Sequence, residues 1–320
     1  MKGKYLALLL SAAVLLSLSA CGGSESSAAA ASDDAAESGD TDEAADSSQV
    51  QETADEIVFE ELTVADDDEC YLADDDECYL AVTGVDLSDP DYVTLDVEIE
   101  NKSEDKTYVF YTETASVNGV VCEPYLYVEV TAGKKAVDEV ILYTETLNLY
   151  GVGPYTDFEI LFEVYDEADD YWYENYVVEE TVHIYPYGEE NVSVYEYTLQ
   201  DTDLVIADDE NVTVVITGTG ADDFWDSFDV NFYLVNKTDA DLVFSIEDAS
   251  VNGYMLDPYW GQLADAGKCA FSTAYWFSDS LEEIGISDFE TELTTVEFLM
   301  MVYDYDNYDE ILNASVVLEP

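Results

Sequence analysis

Thr114–Ala136 reads TASVNGVVCEPYLYVEVTAGKKA, and Asp248–Ala270 reads DASVNGYMLDPYWGQLADAGKCA. Gly119 pairs with Gly253, Pro124 with Pro258, Gly133 with Gly267 and Lys134 with Lys268, each pair 134 positions apart. The correspondence continues outward. TLNLYGV (Thr146–Val152) answers SLEEIGI (Ser280–Ile286), and TVHIYP (Thr181–Pro186) answers SVVLEP (Ser315–Pro320). A repeat of this length is one domain written twice. It defines copies over 57–187 and 196–320, with a linker over 188–195.

Within each copy the apolar residues alternate. Val93, Leu95, Val97 and Ile99 interleave with Thr94, Asp96, Glu98 and Glu100, and Phe228, Val230, Phe232 and Leu234 hold the same phase. This period of two marks strands with one buried and one wet face. Asn118-Gly119 and Asn252-Gly253 mark tight hairpins, because both residue types tolerate positive φ. Asn101-Lys102-Ser103 and Asn236-Lys237-Thr238 mark further turns. One short helical piece is expected per copy, near Glu145–Leu149 and Ser280–Glu283. The pattern predicts an all-β chain of two tandem antiparallel β-sandwiches, immunoglobulin-like in the broad sense. The run N-K-S/T, V-N-G, A-G-K resembles small Ig-like domains of Firmicutes lipoproteins. That resemblance rests on turn residues and implies fold more than function.

The stretch Ala65–Leu80, ADDDECYLADDDECYL, prints eight residues twice. Ala73–Val85 aligns without gaps on Ala207–Thr219 at the 134-residue spacing. Upstream, LTVADD (Leu62–Asp67) matches LVIADD (Leu204–Asp209) at 142, a difference equal to one octapeptide. The unit is therefore an insertion in the first copy alone, an extended loop or added hairpin.

The chain opens MKGKYLALLLSAAVLLSLSACGGS: two lysines, an apolar run from Tyr5 to Leu18, then a small-residue site. This is the pattern of a secretory signal peptide over 1–20, too short for a permanent membrane span. Leu18-Ser19-Ala20-Cys21 resembles the lipobox of bacterial lipoproteins. The resemblance implies cleavage before Cys21, its lipidation, and a membrane anchor on the outer face of the cytoplasmic membrane. Residues 21–56 are small, polar and acidic and read as a disordered tether. With Gly22-Gly23 they resemble the start of a Gram-positive lipoprotein.

The 320 residues hold 8 Lys+Arg against 75 Asp+Glu, a net charge of −67, and no arginine. Nucleic-acid binding, which needs basic residues to displace counterions, is excluded. Anionic lipid head groups are equally poor partners. Yet 48% of residues are hydrophobic, with 26 Tyr and 12 Phe, so the folded part is globular. Tyrosine serves where a strand face is half exposed.

Enzyme chemistry has little support. The single histidine, His183, matches Val317 in the second copy and reads as an ordinary strand residue. No zinc-ligand spacing, nucleophile motif or phosphate loop occurs. The primary reading is a non-enzymatic, lipid-anchored surface protein that presents two Ig-like domains to an extracellular protein or glycan. Trp172, Trp225, Trp260 and Tyr259, in turn-like polar surroundings, are its candidate contacts; rings capping the core ends are the alternative. A second reading is Ca²⁺ binding by acidic turns, through Asp304, Asp306, Asp309 and Glu310 and through Asp166, Asp169 and Asp170. Neither turn has the glycine and terminal glutamate of an EF-hand loop. A hydrolase using scattered carboxylates is the third reading. Cys70 and Cys78 could form a disulfide only across a turn. In one continuous strand they would lie about 27 Å apart.

Overall fold

The computed structural model describes residues 71–74, 77–89, 91–222 and 224–320. The expected signal peptide, Cys21, the tether and Cys70 lie outside the described residues. The first half contains β1 (Tyr71–Asp74), β2 (Cys78–Asp86), β3 (Tyr92–Asn101), β4 (Tyr108–Val117), β5 (Val120–Tyr125), β6 (Tyr127–Val130), β7 (Lys135–Tyr143), α1 (Glu145–Leu149), β8 (Phe158–Asp166) and β9 (Val178–Ile184). The second contains β10 (Leu204–Asp208), β11 (Val212–Asp222), β12 (Ser227–Asn236), β13 (Leu242–Val251), β14 (Tyr254–Met255), β15 (Gln262–Ala264), β16 (Cys269–Phe277), α2 (Ser278–Glu283), α3 (Phe289–Glu292), β17 (Val296–Asp304) and β18 (Glu310–Leu318). The fold is all-β and sandwich-like, with the strands joined into sheets of 13 and 5.

The alternation in β3 places Val93, Leu95, Val97 and Ile99 in the interior, each at most 1% exposed. Each such side chain contributes about 1.5–3 kcal/mol on burial. The hairpins fall at the Asn-Gly pairs. Val117 pairs with Val120 and Val251 with Tyr254, leaving two-residue loops. Asn118, Gly119, Asn252 and Gly253 all carry positive φ, as such loops demand.

These asparagines do more than turn the chain. Asn118 Oδ1 accepts from the Thr156 amide and hydroxyl and from the Asp157 amide, and its Nδ2 donates to the Pro154 carbonyl. Asn252 repeats the arrangement with Thr294, Thr295 and the Glu292 carbonyl. The Asn-Lys-Ser/Thr turns hold a second staple. Asn101 Nδ2 donates to the carbonyls of Lys106 and Val130, while its Oδ1 accepts from Ser103. Asn236 donates to Ala240, Ala264 and Asp265 and accepts from Thr238. Both Asn101 and Asn236 are fully buried.

The expected wet face fails in β12, where Tyr233 and Asp229 are buried as well. Val215, Tyr233, Cys269 and Phe271 of the second half belong to the same apolar cluster as the first half's core. The Cys269 amide donates to the Gly119 carbonyl, and the rings of Tyr150 and Phe271 stack at 3.7 Å. Tyr195, the last residue of the expected linker, and Tyr197, just beyond it, lie edge-on to Phe271. The second face at Tyr233 therefore packs into the cluster shared with the first half, whereas Asp229 accepts from Ser227 within the second half.

The doubled octapeptide provides strand β1. Tyr71 pairs with Ala81, Ala73 with Leu80 and Asp74 with Tyr79, with a bulge after Tyr71. In the second half Val205 pairs with Val215, Ala207 with Val214 and Asp208 with Thr213, with the same bulge. Tyr71-Leu72 thus stand where Val205-Ile206 stand. Deleting Ala65–Leu72 brings Thr63-Val64 into that register and restores the second half's pattern. The shortened protein is expected to melt in a single cooperative transition close to that of the parent in a calorimetric scan. Loss of the cooperative transition would show that the added unit is required. Asn236→Ala, by contrast, strands the Ala264 carbonyl in the interior. It is expected to lower unfolding free energy by about 3 kcal/mol, measured by urea titration.

Candidate ligand-binding face

The sheet β6-β4-β8-β9 turns one face to the first half's core and the other outward. On the outward face Tyr127 lies beside Tyr111, Tyr111 beside Glu163 and Glu163 beside Glu179. The next row holds Glu129, Val109 and Tyr165. The chain leaving β8 folds back across this face. A 3-10 turn at Trp172–Glu174 is pinned where the Val177 amide donates to the Val164 carbonyl. Trp172 stacks on Tyr165 at 4.6 Å, and the rings of Tyr173 and Tyr176 stand edge-on to it. Tyr127, Tyr171 and Tyr173 are exposed on this face, and Trp172 itself is 37% exposed.

Beneath these rings lies Glu163, only 4% exposed. The Tyr176 hydroxyl donates to its carboxyl, but Oε2 is buried without a hydrogen-bond partner. Burial, reinforced by the charge of Glu113, pushes Glu163 up to about 7. Burial and the neighbouring carboxylate of Glu163 also raise the phenol of Tyr176 well above its ordinary value.

The second half lacks this arrangement on the same scaffold. Ser245 opposite Met301 replaces Tyr111 opposite Glu163, and Val243 opposite Tyr303 replaces Val109 opposite Tyr165. A ring stack survives there as Tyr303 on Tyr308, but the acid and the tryptophan do not. Periodicity alone conceals Glu163, because it alternates like any wet-face acid in FEILFEVYD. Comparison of the repeats is the signal that singles it out.

The other expected residues are dispersed. In the acidic turns the carboxylates serve the backbone. Asp304 accepts from the amides of Asp306 and Asn307, Asp166 from Ala168, and Asp169 from Tyr171. Glu310 accepts from the side chain of Asn313, and the amide of Asp309 donates to Asn307. Asp170 is exposed. Among the described residues, one group of three brings metal-ligand atoms within 4.8 Å: Asp157, Glu159 and His183. His183 Nδ1 lies 2.9 Å from Asp157, and Lys268 forms an ion pair with Glu159. The lysine already supplies a cation there, and it ties the two halves. Sequence reasoning passed over this cluster because it treated His183 alone.

Trp260 is half-buried, stacked on Phe232 at 4.8 Å with its Nε1 donating to Ser272. It therefore packs against the core. Tyr259 is exposed beside Phe277. Trp225 is exposed with Phe224 at the β11–β12 hairpin tip, where Asp222 accepts from both amides. Trp276 is buried. Cys78 is buried at the start of β2. A cleft of about 430 Å³ at the junction is lined by Cys122, Tyr143, Gln262 and Asp265 among others. Burial pushes the Cys122 thiol up to about 12, so it stays protonated and unreactive.

No protein-family profile matches the sequence. No curated protein matches it. Among solved structures, the chain is similar to the crystal structure of the YadV chaperone at 10% identity. The match covers 70% of this chain and 92% of that one, with a TM-score of 0.22.

The raised acid makes stability depend on pH. Glu163 ionises near 7 when folded and near its ordinary, lower value when unfolded, so its ionisation opposes folding as pH rises through that interval. The groups facing it are Tyr111 and Glu113 on β4, Tyr165 on β8, Glu179 on β9 and Tyr176 on the returning chain. Glu163→Gln removes the charge. Its melting temperature is expected to exceed the parent's at pH 8, with the gap closing toward pH 5. An equal gap at both values would place the titration elsewhere.

Proposed function

We propose that this chain is a lipid-anchored, extracytoplasmic binding protein without enzymatic activity, built from tandem Ig-like repeats. Its binding face is the outward surface of the first repeat. The supporting observation is the aromatic cover of Tyr165, Trp172 and Tyr176 over Glu163, which the second repeat's equivalent surface does without. Exposed tyrosines backed by a stacked tryptophan suit protein and glycan ligands alike, offering large rigid contacts with polar tips. The lipobox-like Leu18–Cys21 and the acidic stretch that follows supply the anchor and the spacer.

The reading is tested by screening the mature chain against glycans and extracellular proteins, with Trp172→Ala and Trp225→Ala in parallel. Trp172→Ala is expected to weaken the captured ligand by about tenfold or more, while Trp225→Ala leaves it unchanged. Loss confined to Trp225→Ala would move the binding face to the second repeat. A large rise in melting temperature with millimolar Ca²⁺ but not K⁺ would instead favour the acidic turns as the functional element.

A further inference from the structure

We infer that the aromatic cover over Glu163 is a recognition site for an organic ammonium ion, with Glu163 as the counter-charge. The inference rests on the binding-face reading and gives that face a ligand class. Its first support is the buried Oε2 of Glu163, which has no partner. A buried acceptor without a donor is unfavourable, and a ligand that donates to it relieves that cost. The second support is charge. The groups acting on Glu163 are Tyr176, Glu113 and Glu179, all neutral or acidic. Tyr111 and Tyr165 also feel its carboxylate and carry no positive charge. Lys106, the nearby base, is turned to Asp166 at 3.5 Å.

The rings decide which cation fits. Ca²⁺ takes six to eight oxygen ligands, whereas this site offers one unused buried carboxylate oxygen among aromatic side chains. An organic ammonium needs few hydrogen bonds and is attracted by aromatic faces. Trp172 and Tyr165 lie nearly parallel at 26°, with Tyr176 at 69° to the tryptophan, so ring surfaces of two orientations border the acid. The same position in the second half is Met301 opposite Ser245. The scaffold therefore folds with an apolar residue in place of the acid.

The test titrates the mature chain at pH 8 with tetramethylammonium chloride and with butylammonium chloride, against sodium chloride at equal ionic strength. Tryptophan fluorescence and melting temperature are the readouts. A saturable response to an ammonium ion, absent with sodium, is expected in the parent. It should weaken by about tenfold or more in Glu163→Gln and in Glu163→Met, which copies the second half. A stronger response to butylammonium identifies a lysine side chain of a protein partner as the source, and a stronger response to tetramethylammonium a small quaternary amine. No saturable response in the parent, or an equal one in both variants, overturns the inference. If Trp172→Ala abolishes capture of a screened ligand while both Glu163 variants retain it, the binding face stands and the ammonium class falls.

Discussion

Four asparagine side chains hold the strand ends together, and each does something that an aspartate in the same place could not do. Asn101 and Asn236 sit at zero exposure, donating to two or three carbonyls from distant segments while accepting from the turn beside them. Only a carboxamide carries donor and acceptor together without charge. An aspartate would leave the carbonyls unpaired and add a buried charge. In a chain with 75 acids, these are sites where acid is not tolerated. The paired use of Asn118 and Asn252 follows the same rule, with positive φ added, so one residue both turns the hairpin and ties it to the segment entering β8 or β17.

The charge is accommodated by where the few lysines sit. Lys237 reaches Asp208 and the Asp209 carbonyl, Lys135 reaches Glu100, and Lys106 reaches Asp166. These are largely exposed pairs, weakened by solvent screening. Lys268 differs, because it joins Glu159 across the junction with both side chains partly buried. The junction is thus apolar packing, including the Tyr150–Phe271 stack, with a partly buried ion pair.

Much of this was legible beforehand. Strand phase in β3, the Asn-Gly hairpins and the helical pieces at Glu145–Leu149 and Ser278–Glu283 follow from period and turn chemistry, whereas the second half's additional helix α3 was not expected. The octapeptide's expected dispensability rests on spacing arithmetic, and the register adds a reason: Tyr71-Leu72 stand where Val205-Ile206 stand in the other half. The candidate site was less legible. Trp172 was visible as an aromatic in a polar turn, but Trp260 was indistinguishable from it until its stack on Phe232 was seen. Glu163 had no local mark at all, since Tyr176, which donates to it, and Trp172, which packs on Tyr165 and Tyr176, return to this face after a turn. Long-range cover of that kind leaves no periodic trace. The same applies to Tyr233, which packs against Tyr197 and Phe271.

The internal repeat supplies a control that a single domain cannot. Both halves share the asparagine staples, the hairpins, the strand order of β4-β8-β9 and β13-β17-β18, and even a ring stack after the corresponding strand. What the fold requires should therefore occur twice. Glu163, Trp172 and the returning turn occur once, and the position of the acid is held by methionine in the other half. A buried acid displaced to about 7 by its surroundings opposes folding whenever it is ionised, so its presence is not explained by stability. A feature that the scaffold can omit, and that works against folding at neutral pH, is better accounted for by a ligand than by packing. The asymmetry between otherwise matching halves is thus what supports the proposed binding face on the first one, at Glu163.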